Sequence, residues 1–208
     1  MISNASTSHD DGTRKPSDLR IGCESDNGTI ILRRASETDF DWMIALRNLT
    51  SVRQWFFDPR EIDSSSGRTW LAAKANSDDD TVLVIGHKAT GCRVGTLGWT
   101  RSTRENGVYE TGRLALDSAA VRKLLKAGVP REILNRIAID ACCTLRDYIF
   151  EQLKASVIRT EYMAGNILAA RINAEVGMVR VDVGSDGRIV CQLTRSRWEE
   201  LSKSANAR

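Results

Sequence analysis

The sequence has little from which to build a metal or redox centre: two histidines, His9 and His87, and five cysteines in no CxxC or other metal-ligand spacing. No metal site is expected. Cys142 and Cys143 fall inside an apolar helical pattern, where a buried thiol behaves as a small hydrophobe rather than a nucleophile. Long apolar runs are missing too. The longest, residues 81–86 and 189–193, fall far short of the roughly 20 residues that a membrane helix needs, so no membrane partner is expected. The opening MISNASTSHDDGTRKPSDLR has no apolar stretch of a secretory signal, and its mixed charge does not suit a mitochondrial presequence, so a cytoplasmic location is expected. A formal charge of only +3, with no stripe of Lys and Arg among aromatics, gives no reason to expect a nucleic-acid partner. Neither GxGxxG nor GxxxxGK[ST] occurs, which removes the usual signatures of dinucleotide and P-loop sites.

What is present is an ordinary globular composition, 41% hydrophobic and 27% charged. Residues 1–28, rich in Ser, Asp, Asn and Gly, are expected to be a disordered tail, followed by one domain over 29–203 and a short tail at 204–208. A β-branched run at 29–33 precedes SETD (36–39), which has the N-cap and acidic first turn of a helix. A second helical piece is expected to carry Val52, Trp55 and Phe56 until Pro59 interrupts it, and Asp63 can cap a third helix. Three strands at 81–87, 92–100 and 108–116, joined by short Gly-containing turns, predict an antiparallel meander. Residues 117–126 predict a small capped helix stopped by Gly128, and Pro130 opens a long amphipathic helix. A strand at 156–161, a helix at 166–176 ending at Gly177, a strand pair at 178–183 and 188–194, and a last helix at 196–202 complete a mixed α/β order.

Set in that order, LRNLTSVRQWF resembles the N-terminal part of GNAT acetyltransferases, above all the branch acting on ribosomal-protein N-termini and nucleotide-linked amino sugars; the matching residues are Arg47, Asn48, Val52, Arg53, Trp55 and Phe56, with Ile62 and Trp70 downstream. NILAARINAEVGM (166–178) and the closing SRWEEL are similar to later family motifs, so the resemblance spans about residues 30–201. It implies the GNAT fold, a mostly antiparallel twisted sheet flanked by helices, with acetyl-CoA as cosubstrate. The partner it implies is a small-molecule amine or a peptide N-terminus. Monomer and homodimer both stay open. Two departures stand out. The family's loop of Arg or Gln, two residues, Gly, one residue and Gly or Ala is replaced by a stretch keeping only Gly128, and Asn173 stands where many members place a proton-donating tyrosine.

Acyl transfer to an amine needs a neutral amine, a polarised thioester carbonyl and a hold on the CoA pyrophosphate. The start of the long helix, with Lys126, Gly128 and Arg131, offers unpaired N–H groups and positive charge for the last; the same residues also read as a helix stop flanked by solvated cations. The resemblance places the carbonyl-polarising backbone N–H near Leu114, Ala115 and Leu116, where Gly112 suggests a bulge or a local irregularity. It makes Glu110 the base for the amine, although strand alternation also allows a solvated face. Tyr162 stands in for the missing acid, or water protonates the thiolate. Asn166 contacts pantetheine, caps its helix, or does both, and Arg47, Arg53 and Trp55 line the acceptor side unless the aromatic belongs to the core. A GNAT domain that binds a ligand or partner without turnover is the alternative.

Overall fold

The protein is described by a computed structural model covering residues 23–206 except Asp26. The expected 1–28 tail lies outside these residues up to residue 22, but its last part needs correction. Cys23–Glu24 form a short strand, β1, on the edge of β2 (Ile30–Arg34), and Ser25 is buried, its hydroxyl accepting from the backbone of Ile30 at 3.1 Å. Order therefore starts before Thr29, because a serine can satisfy the turn between two strands from within.

β2 leads into α1 (Glu37–Asn48), where the Ser36 backbone N–H donates to Asp39 at 2.9 Å as the reading of SETD requires. α2 is shorter than expected, Thr50–Arg53, and 54–56 continue in turns, so Trp55 and Phe56 leave the helical register. α3 (Ser64–Ala75) is capped by Asp63, which accepts from Ser65 and Ser66. β3 (Asp80–His87), β4 (Cys92–Arg101) and β5 (Val108–Leu116) form the expected antiparallel meander. α4 (Ser118–Lys126) and α5 (Arg131–Glu151) follow, then β6 (Val157–Met163), α6 (Ile167–Val176), β7 (Val179–Val183), β8 (Arg188–Thr194) and α7 (Arg195–Asn206), which passes the expected boundary at 203.

The eight strands of the described residues make one sheet in the order β1-β2-β3-β4-β5-β6-β8-β7, antiparallel at every step except β5–β6. Both faces are covered, which explains why β3 is buried almost throughout. On one face α5 packs Ile137, Ala141, Leu145 and Ile149 against Leu83, Ile85, Leu97, Trp99, Tyr109 and Ile158. On the other, Phe40, Met43, Ile44 and Leu71 of α1 and α3 cover Val82 and Val84. α6 closes against α5 through Ile172 and Val176, and stops at Gly177 with φ +91°, a conformation that L side chains rarely adopt. No helix among the described residues is long and apolar enough to cross a membrane.

Asp39 ties β2, α1 and β4 together. Its buried carboxylate accepts from Arg33 Nη1 and Nη2 at 2.7 and 2.8 Å and from Arg93 Nη1 at 3.3 Å. Burial alone pushes this carboxyl up, but the Arg33 hydrogen bond, the Ser36 backbone and hydroxyl bonds and the Arg33 charge together hold it far below the usual carboxylate range. A depressed carboxylate contributes stability above its unfolded pKa of about 3.9 and loses it as pH falls through the folded value. Asp39→Asn is therefore expected to cost about 2 kcal/mol at pH 7, discounted because both arginines reach solvent. Urea unfolding at a series of pH values should show that difference shrinking below about pH 4.

Candidate active site

β5 and β6 pair in parallel only over Val108↔Val157, Tyr109↔Ile158, Glu110↔Arg159 and Thr111↔Thr160. Beyond that point they part, β5 continuing against β4 to Leu116 and β6 against β8 to Met163. A bulge accompanies the parting. Gly98 pairs with Gly112 and Thr96 with Ala115, so Leu97 alone opposes Arg113 and Leu114. The expected irregularity at Gly112 falls one residue later, on Arg113, whose φ of +59° is unusual for a side-chain-bearing residue. Its side chain explains how the strain persists. The guanidinium pairs with Asp80 at 2.6 Å, donates to the Thr81 carbonyl at 3.2 Å and Thr100 Oγ1 at 3.0 Å, and lies 5.2 Å from the Trp70 ring centroid.

The parting opens a cleft of about 660 Å³. Val52, Trp55 and Phe56 line it on the α1 face, Ala138, Cys142 and Asn173 on the α5 and α6 face, so it passes through the plane of the sheet. Its edges are β5 from Thr111 to Leu116 and β6 from Thr160 to Tyr162. Burial, and secondarily Cys143, pushes the Cys142 thiol up to about 12, which suits a wall residue and not a nucleophile.

Leu114, Ala115, Leu116, Trp55, Tyr162, Asn166 and Asn173 all line this cleft. Asn166 caps α6, its Oδ1 accepting from the Ala169 N–H at 3.0 Å, and Asn173 Nδ2 donates to the Ala169 carbonyl at 3.0 Å. Burial first, then the neighbouring Cys191 through charge and hydrogen bonding, raises the Tyr162 pKa, so its hydroxyl keeps its proton. Arg47 lines a second chamber described below, stacked 3.9 Å from the Phe56 ring. Arg53 lines neither space; it pairs with Glu61 at 3.3 Å.

Glu110 is exposed and outside the cleft lining. Because Tyr109 faces α5, alternation turns Glu110 to the α1 and α3 face, one register pair before the strands part. Lys126, Gly128 and Arg131 are exposed and also outside the lining. The reason is α4, which occupies the chain between β5 and α5. Asp117 caps it, accepting from Ala119 and Ala120 at 2.9 and 3.0 Å and from Trp42 Nε1 at 3.0 Å, and the stop at Gly128, φ +89°, separates it from α5.

Sequence reasoning missed Glu161 and Thr111, and the backbone strain at Arg113. Glu161 lines the cleft with its carboxylate held by Arg188 at 2.8 Å, and Arg188 in turn lies 4.1 Å from the Phe57 ring. Alternation along β6 could have set Glu161 opposite Tyr162, but not beside a cleft that only the parallel pairing creates.

A sheet parting between its two parallel strands, with helices on both faces, defines the GNAT architecture. A family model described as an acetyltransferase (GNAT) domain matches residues 29–179, and the chain belongs to that family. No curated protein matches its sequence. Among solved structures it is similar to the apo form of FdhC, a nucleotide-linked sugar GNAT, with a TM-score of 0.70 and 15% identity over 90% of this chain and 98% of that one. An aminoglycoside acetyltransferase in complex with coenzyme A and kanamycin gives 0.61 and 16% over 83% and 98%. A GCN5-related N-acetyltransferase from Brucella melitensis gives 0.65 and 18% over 88% and 83%. At these identities the likeness is one of fold.

Proposed function

We propose that the protein is a cytoplasmic N-acetyltransferase that moves the acetyl group of acetyl-CoA to a primary amine by direct attack within a ternary complex. The supporting observation is the cleft itself, which opens to both sheet faces and leaves the β6-facing edge of β5 beyond Thr111 without a strand partner. One face admits a pantetheine arm and the other an amine. In this reading the N–H groups of the Leu114 to Leu116 edge polarise the thioester carbonyl, and Asn166 orients the arm at the start of α6. The amine nitrogen attacks the carbonyl carbon, the new C–N bond replaces the C–S bond, and the amine proton passes to Glu110 through water. The CoA thiolate takes a proton from Tyr162 or from water.

In this reading the side chains hold the pyrophosphate only weakly. Lys126 and Arg131 act from exposed positions, so changing both to Ala should weaken acetyl-CoA binding by less than about tenfold, and the effect should fade as salt is raised. Titration at two ionic strengths checks this; a loss of a hundredfold would place the anion on these side chains after all.

Nucleotide-linked amino sugars, peptide N-termini and other small amines are the acceptor classes to test, by following release of free CoA thiol with each. Asn173, whose amide has no proton to give a thiolate, together with the α4 insertion, favours a second reading of ligand binding without turnover. Acetyl-CoA binding with no thiol release from any amine is its expected outcome.

A further inference from the structure

Between α1, α3 and the sheet lies a second chamber of about 480 Å³, joined to the cleft because Phe56, Arg113 and Ala115 line both. We propose that this chamber receives an amine carrying a compact apolar body and a single carboxylate, the chemistry of a hydrophobic amino acid. The proposal deepens the acetyltransferase reading by naming its acceptor class.

Three observations carry it. The wall is apolar, with Met43, Ile44, Ile62, Trp70 and Leu71 supplying most of it, so a ligand rich in hydroxyls would bury donors and acceptors without partners. No Asp or Glu among the described residues lines it, whereas two guanidinium groups do, so a polycationic amine would meet charge of its own sign. The two arginines are not equivalent. Arg113 is already neutralised by Asp80 at 2.6 Å. Arg47 instead donates one nitrogen to the Asp58 backbone carbonyl, rests on the Phe56 ring, and leaves Nη1 buried with no hydrogen-bond partner. Burial, its largest influence, also lowers the Arg47 pKa against the opposing pull of the Asp58 charge. A buried guanidinium donor with no acceptor is satisfied best by a carboxylate, which adds charge to the hydrogen bond. The chamber's size suits one aromatic or branched aliphatic group beside that carboxylate. With the apolar body among Trp70 and Met43 and the carboxylate at Arg47, the amine of such a ligand is left near Phe56 and Ala115, where the chamber meets the cleft.

The test is calorimetric titration of the full-length protein, with and without saturating CoA, using L-phenylalanine, L-phenylalaninamide and kanamycin as probes. The expected result is binding of the acid at least tenfold tighter than the amide, no binding of kanamycin, and loss of the acid's advantage in Arg47→Met. Equal affinity for acid and amide in the unmodified protein would overturn the proposal without reliance on any variant, as would absence of phenylalanine binding. None of these readings needs turnover. Arg47-dependent binding of the acid in a protein that does not bind acetyl-CoA would keep the chamber's ligand and remove the acetyltransferase reading; acetyl-CoA binding with no preference for the acid would do the reverse.

Discussion

Glu110→Gln is expected to lower kcat/KM for the amine by about 10²- to 10⁴-fold, the range for loss of a positioned general base, while leaving acetyl-CoA affinity unchanged. The asymmetry follows from position. Glu110 lies on the α1 and α3 face, outside the cleft lining; no ion pair among the described residues includes it, although the charge of Arg159, its register partner on β6, acts on it. Glu161 is the rival carboxylate, nearer to the cleft, but its Oε2 already accepts from Arg188 at 2.8 Å, which ties the side chain to β8. Glu161→Gln should therefore change kcat/KM by less than about tenfold. Steady-state kinetics of both variants, with acetyl-CoA affinity measured separately, decide between them. A large loss in Glu161→Gln with Glu110→Gln near normal would move the base to β6.

Arg113→Ala should cost about 2 to 3 kcal/mol, below the full cost of breaking a buried ion pair because Arg113 and Asp80 retain 27% and 21% side-chain exposure. Asp80 keeps Lys74 as a partner, so its carboxylate is not abandoned. For a chain of this length the loss corresponds to a fall in Tm of roughly 4 to 12 °C. Arg113→Gly loses the same contacts but relieves the positive φ, and should recover about 1 kcal/mol of the difference. If the alanine and glycine variants melt together at the unmodified temperature, the bulge is not held by this side chain.

Much of the fold was legible because its elements announce themselves locally. The caps at Ser36 and Asp63, the turns before β4 and β5, the apolar repeat of α5 and the stop at Gly177 each depend on residues within a few positions of one another. Boundaries failed where tertiary contacts decide: β1 exists because β2 offers an edge, and α2 ends at Arg53 because Trp55 and Phe56 turn to wall the cleft. The candidate site was less legible for the same reason. Leu114 to Leu116, Tyr162 and Asn166 converge because β5 and β6, far apart in sequence, pair and then part. Nothing local marks Arg113 as the strained residue, and Gly112 points one position early. Lys126, Gly128 and Arg131 looked like an anion site by charge and chain position alone, and α4 leaves them outside the cleft lining.

In the proposed function the cleft between β5 and β6 is an acetyl-CoA site. Isothermal titration of the purified protein with acetyl-CoA tests it most directly. The expected result is one-to-one micromolar binding that is lost when Ala115, buried at the cleft edge, is enlarged to Phe in a variant whose melting curve remains cooperative. No detectable heat with the unmodified protein, or full affinity in the Ala115→Phe variant, would contradict it.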